Sequence, residues 1–241
     1  MKALARLVVL AAATVLAAVT PIAHADVTIT STTPTWSNVV GGSNILLNSP
    51  NGGFTDVRWG VPASTDQSGL GFDPANPPPV AIPINTLFLL GDLRHYNNPI
   101  QSGTAASSVD LSLLTQVSGA IPTSQSFAFR FLIDETPNAE PCVYPSDPGN
   151  PCADAITFQN LDTTSAFVIG GISYTIELSG FSTDGGNTLV NQFISQEGGT
   201  NVAGLYGVIT EAHAVPEPAS LALVGLALAS AGLARTRRKR G

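Results

Sequence analysis

Two cysteines, one histidine and a run of acids are the groups in the middle of this chain that can do chemistry. Cys142 and Cys152 are its only cysteines, and Val143 to Pro151 between them includes Pro145, Pro148, Gly149 and Pro151, which favour tight turns. In an exported chain such a pair reads as a disulfide, and no nearby histidine accompanies it to suggest a catalytic thiol or a zinc site. Asp134, Glu135, Asn138 and Glu140 precede this loop, and Asp147 and Asp154 lie within or just after it. Hard oxygen ligands of this kind are what Ca²⁺ takes. Their spacing fits no EF-hand or glycine-rich nonapeptide, and clustered acids are usually solvated loop faces. No cofactor or metal is therefore expected, Ca²⁺ being the one ion these acids invite.

Hydrolytic chemistry finds little support. Neither Gly-x-Ser-x-Gly nor His-Glu-x-x-His occurs, and a Ser-His-Asp triad would have to use His95. The segment His95-Tyr96-Asn97-Asn98-Pro99 reads as a turn after a strand, its ring satisfied by backbone. A glycosidase needs only two carboxylates, and 17 acids offer too many pairs to single one out. No catalytic residue is assigned, and the protein is not expected to be an enzyme. Sugar binding would need exposed aromatic faces; Trp36, Trp59, Tyr96, Tyr144, Tyr174 and Tyr206 are available, but most aromatics in a β-sandwich fill its core.

Charge narrows the classes further. Of ten Lys and Arg, only Arg58, Arg94 and Arg130 lie between Asp26 and Pro218, against all 17 acids, a formal charge of -14 for that segment. It contains no lysine, so a Schiff base, a Walker-type phosphate loop and a lysine base are all excluded there. So acidic a body repels nucleic acid, which is set aside as a partner.

The elements that must position these groups read as strands. Candidates are Val27 to Thr32, Asn44 to Asn48, Asp56 to Trp59, Thr86 to Arg94, Val109 to Gln116, Ser126 to Asp134, Ala155 to Gln159, Ala166 to Ile169, Ser173 to Leu178, Gln192 to Gln196 and Leu205 to Glu211. In Phe127-Ala128-Phe129-Arg130-Phe131 the aromatics fall on one face, and in Tyr174-Thr175-Ile176-Glu177-Leu178 the polar pair Thr175 and Glu177 faces away. Gly170-Gly171 is a hairpin signal. Pro74 to Pro83 cannot be a central strand and is expected to be a surface crossover. The pattern predicts an all-β, antiparallel β-sandwich of jelly-roll type as one domain over residues 26–212.

Both ends are built to meet a membrane. Lys2 and Arg6, the apolar run Leu7 to Val19, Pro21 and Ala23-His24-Ala25 before Asp26 make residues 1–25 a Sec-type signal peptide, cleaved between Ala25 and Asp26. The other end, residues 213–241, carries Val215-Pro216-Glu217-Pro218, an uncharged hydrophobic helix at 219–234 and a basic end at 235–241 in which five of seven residues are cationic. Sixteen helical residues reach roughly 24 Å, short of a roughly 30 Å hydrocarbon core, a gap that snorkelling arginines can cover. This tail resembles the PEP-CTERM sorting signal, with Pro216, Glu217 and Pro218 matching its short motif. The resemblance implies an exosortase as processing partner, a membrane-associated precursor, and loss of the tail from the mature protein.

The body has its own likeness. Trp36-Ser37-Asn38, Trp59-Gly60-Val61-Pro62, Leu90-Gly91, His95-Tyr96-Asn97-Asn98-Pro99-Ile100, Glu135-Thr136-Pro137-Asn138, Pro141-Cys142-Val143-Tyr144 and Pro151-Cys152-Ala153-Asp154 together resemble the choice-of-anchor K domain, an extracellular domain with no activity to carry over. These readings predict an exported surface or matrix protein with a structural or adhesive role linked to exopolysaccharide. Carbohydrate binding is the alternative, with glycan hydrolysis third.

Overall fold

The computed structural model describes residues 27–211, apart from 77, 79–80, 119–122, 162–165 and 170. The signal peptide with Ala23, Ala25 and Asp26, and the tail with Pro216, Glu217 and Pro218, lie outside the described residues. Among the described residues there is no helix, and so none long and apolar enough to cross a membrane.

Twelve strands follow one another: β1 Thr28–Gly41, β2 Leu46–Asn51, β3 Phe54–Trp59, β4 Ser68–Pro74, β5 Leu87–Asn97, β6 Ala106–Ser118, β7 Thr123–Asp134, β8 Asp154–Asn160, β9 Phe167–Ile169, β10 Ile172–Ser182, β11 Gln192–Ser195 and β12 Gly199–Glu211. They form two antiparallel sheets, ordered β1-β6-β7-β8-β11 and β2-β3-β4-β5-β12-β10-β9. This agrees with the expected β-sandwich. The chain runs β2 to β5 and β6 to β8 as meanders and changes sheet between them.

Alternation decides which face meets the core. On β7, Phe127, Phe129, Phe131 and Ile133 are buried, while Ala128, Arg130 and Leu132 face the other way. From β10, Phe181 touches Phe131, Phe158 and Phe193 at ring-centroid distances of 6.3, 5.4 and 5.9 Å, joining the sheets. Trp36 is 1% exposed and donates its indole N–H to the Thr55 carbonyl at 2.6 Å, tying β1 to β3.

Each expected strand falls on an observed one, and Ile169 pairs with Ile172 across the glycine pair. Three details differ. Thr175 is buried at 3% exposure instead of facing solvent. The proline-rich stretch joins β4 to β5, which are neighbours, and is no crossover; Ile82 within it is buried and exchanges two backbone hydrogen bonds with Val27 at 2.9 and 2.7 Å. Finally, β4 was not expected at all.

That strand exists because its glycines leave room. Gly69 lies between Arg58 on β3 and Tyr96 on β5, and the Arg58 guanidinium reaches across it to sit 3.2 Å from the Tyr96 ring centroid. Gly71 lies between Asp56 and Arg94, and the Tyr96 hydroxyl passes it to donate to Asp56 Oδ1 at 3.0 Å. A side chain at either position would separate these partners.

Candidate functional site

Where the two sheets meet, the termini of several strands bring together one imidazole and three carboxylates. His95 comes from the second half of β5, whose inner face is Leu93, His95 and Asn97. Glu135 follows the last residue of β7, Asp154 opens β8, and Glu197 sits in the turn between β11 and β12. Ladder pairing fixes this convergence: Asp134 is opposite Ala155, and Asp154 is opposite Ser195. One ligand atom each from His95, Glu135 and Asp154 can be chosen so that all lie within 4.8 Å of one another.

Each acid keeps one buried oxygen without a hydrogen-bond partner. Asp154 Oδ1 accepts from the Thr136 backbone N–H at 2.7 Å and from its hydroxyl at 3.1 Å, while Oδ2 is buried without a partner in the protein. Glu135 Oε1 accepts a long bond of 3.4 Å from the Ser68 hydroxyl, and Oε2 is unpartnered. Glu197 Oε1 is also buried without a partner, and Asn138 lies close enough to Glu197 to oppose the rise of its pKa. His95 is 0% exposed and neither ring nitrogen finds a partner.

Electrostatics follow from that burial. Desolvation, then repulsion from Asp154 and Glu197, pushes Glu135 up to about 8. Desolvation dominates again at Asp154, raised to about 7 against the opposing Thr136 bonds, and also raises Glu197. The Trp59 indole N–H lies close enough to Glu135 to oppose its rise, yet does not reach hydrogen-bonding geometry. Burial alone lowers His95 to about 3, so its imidazole is neutral at ordinary pH. Such a constellation can share protons among its acids or offer imidazole and carboxylate lone pairs to a cation.

The structure corrects the reading of His95. It belongs to strand β5, not to a turn, and its ring is not satisfied by backbone. Its signal was available: extending the alternation of the expected strand one step past Arg94 places His95 on the inner face with Leu93. Glu197 carried no comparable signal, since only folding brings the β11–β12 turn to the end of β7.

Of the acids gathered around the cysteines in sequence, only Glu135 and Asp154 converge. Asp134 accepts from the Tyr144 hydroxyl, Glu140 Oε2 from the Cys142 N–H at 3.1 Å, and Asp147 is exposed with its N–H on Gln196. The Cys142 and Cys152 sulfurs are at bonding distance, 2.05 Å, within residues 135–153 that link Glu135 to Asp154. Trp36, Trp59, Tyr96 and Tyr174 are buried, the indoles in the core. Beside the site, a cleft of about 260 Å³ lined by Ile100, Gln101, Ser102, Glu135, Pro137 and Asn138 reaches Glu135 from solvent.

Residues 214–239 match the PEP-CTERM protein-sorting motif. No curated protein matches the chain. Beyond the described body, then, the chain carries the sorting signal of an exosortase substrate, which implies export and a membrane-anchored precursor processed to the cell surface.

Proposed function

We propose that this is a non-enzymatic surface or matrix protein whose β-sandwich serves a structural or adhesive role in the exopolysaccharide layer. The observation that carries this reading is the sorting motif at 214–239, which follows an all-β body directly. The body's resemblance to the choice-of-anchor K domain supports an extracellular setting. Its charge supports a place where divalent cations bridge acidic polymers, because a body with three arginines and no lysine cannot hold an anionic glycan by its own cations. Burial of Trp36, Trp59 and Tyr174 takes the largest candidate sugar platforms out of reach, which favours structural work over a stacking-type carbohydrate module.

The test compares wild type with a chain in which Pro216, Glu217 and Pro218 are all alanine. Wild type should reach the cell surface or matrix fraction with its C-terminus shortened, and the variant should stay uncleaved in the membrane. Deleting the gene should weaken matrix cohesion without changing polysaccharide chain length. A full-length, uncut chain in the cytosol would overturn the sorting reading; shorter glycans in the presence of the protein would overturn the non-enzymatic one.

A further inference from the structure

We propose that His95, Glu135 and Asp154, with Glu197 beside them, bind a divalent first-row transition metal ion, with Zn²⁺ the best fit, that fastens the two sheets together.

Geometry comes first. Ligand atoms about 2.0–2.2 Å from a tetrahedral zinc ion lie roughly 3.3–3.6 Å apart. The three here fall within 4.8 Å of one another, a spread that side-chain rotations moving the atoms by about an ångström would draw in to that separation. They are held from different directions: His95 by a central strand of the seven-stranded sheet, Glu135 and Asp154 by adjacent strands of the other.

Unpartnered atoms point the same way. A fully buried imidazole ordinarily donates one N–H and accepts at its other nitrogen, and His95 does neither. Asp154, 1% exposed, keeps Oδ2 free while Thr136 fixes Oδ1. An anchored oxygen beside a free one is how outer hydrogen bonds orient a carboxylate toward a metal.

Charge balance closes the argument. Three acids are crowded at this point, and every arginine of the body is engaged elsewhere. Arg58 pairs with Asp56 at 3.0 Å, Arg130 with Asp110 at 2.7 Å, and Arg94 stacks 3.6 Å from the Phe54 ring centroid. The imidazole decides the class of ion: Ca²⁺ and Mg²⁺ take oxygen cages, whereas a mixed nitrogen and carboxylate set suits zinc and its neighbours. The cleft at Glu135 supplies the entry path.

The experiment uses the exported protein, stripped with EDTA and titrated calorimetrically with ZnCl₂, MnCl₂ or CaCl₂ alone, with the melting temperature followed in parallel. One equivalent of Zn²⁺ should bind and raise the melting temperature, Mn²⁺ should bind more weakly, and Ca²⁺ should leave both readouts unchanged. His95→Phe and Glu135→Gln should each weaken Zn²⁺ binding by about 100-fold or more. If His95→Phe does not fold by circular dichroism, Glu135→Gln decides alone. The proposal is overturned if stripped wild type gives neither Zn²⁺ heat nor a melting shift, if Zn²⁺ binding survives in the folded variants, or if Ca²⁺ binds more tightly than Zn²⁺. Sorting can succeed while this fails, because the motif and the cluster share no residue.

Discussion

Thr136 grips a single oxygen of Asp154 with two donors, its backbone N–H at 2.7 Å and its hydroxyl at 3.1 Å. The hydroxyl also leans on the Ala153 carbonyl at 3.1 Å, so one hydrogen serves two acceptors. The backbone donor survives any substitution, and therefore Thr136→Val removes only the shared part of the grip. We expect it to cost about 1 kcal/mol in urea unfolding and to weaken Zn²⁺ binding by about 10-fold. Unchanged affinity at unchanged stability would show that the backbone bond alone orients Asp154.

Gly71→Ala tests the account of β4. An added Cβ there would lie 2.5 Å from Asp56 Oδ1 and 3.2 Å from the Tyr96 ring, on a buried strand with partners on both sides. The substitution should lower stability by about 2 kcal/mol or more. At Gly69 the obstacle is the Val57 backbone carbonyl at 2.3 Å, which cannot swing aside, so Gly69→Ala should prevent β3–β4 pairing and soluble folding. A gain in stability from Gly71→Ala, the usual result at an open extended site, would show that the glycine is not required for space.

These glycines also explain where sequence reading stopped. Strands such as β7 declare themselves because every second residue is aromatic and the period is local. In Ser68-Gly69-Leu70-Gly71-Phe72 the alternation of Leu70 and Phe72 is present, but glycines fill the other face and read as a loop. Their reason lies in Arg58 and Tyr96, which are 38 residues apart in sequence and one glycine apart in space. The site divides in the same way. Glu135 and Asp154 were singled out because they flank the cysteine loop, and His95 follows from the alternation of its strand carried one step further, whereas Glu197 lies in the β11–β12 turn, which only the folded sheets bring alongside.

Reduction of the Cys142–Cys152 pair offers a separate test. The two residues are 10 apart in sequence, and closing so short a loop stabilises by about 3 kcal/mol on chain entropy, less whatever stiffness its prolines already impose. The same segment sets the reach from Glu135 to Asp154. A Cys142→Ser, Cys152→Ser double variant should therefore melt several degrees lower and bind Zn²⁺ more weakly, both read on one purified sample. Two reactive thiols in unreduced wild type would remove the basis of this expectation.

Acid should loosen one particular turn before the core gives way. Asp184 is exposed, but its Oδ1 accepts from the Ser182 hydroxyl at 2.6 Å and the Thr188 N–H at 2.9 Å, and these bonds draw its pKa down to about 2. A carboxylate with a depressed folded pKa contributes stability that is fully present above its unfolded value, near 4, and that disappears as pH falls through the folded value. The window is therefore about pH 4 to 2. Ser182, which also accepts from the Gly186 N–H at 2.9 Å, is buried next to Phe181, and Phe181 exchanges two backbone bonds of 2.9 Å with Val190. Protonating Asp184 should thus expose the Thr188 and Gly186 amides to solvent exchange while the Phe181 and Val190 amides stay protected. In Asp184→Asn the Thr188 amide should already exchange fast at pH 5, and the two proteins should converge at pH 2. Equal protection of Thr188 in both at pH 5 would show that the carboxylate charge does not hold the turn.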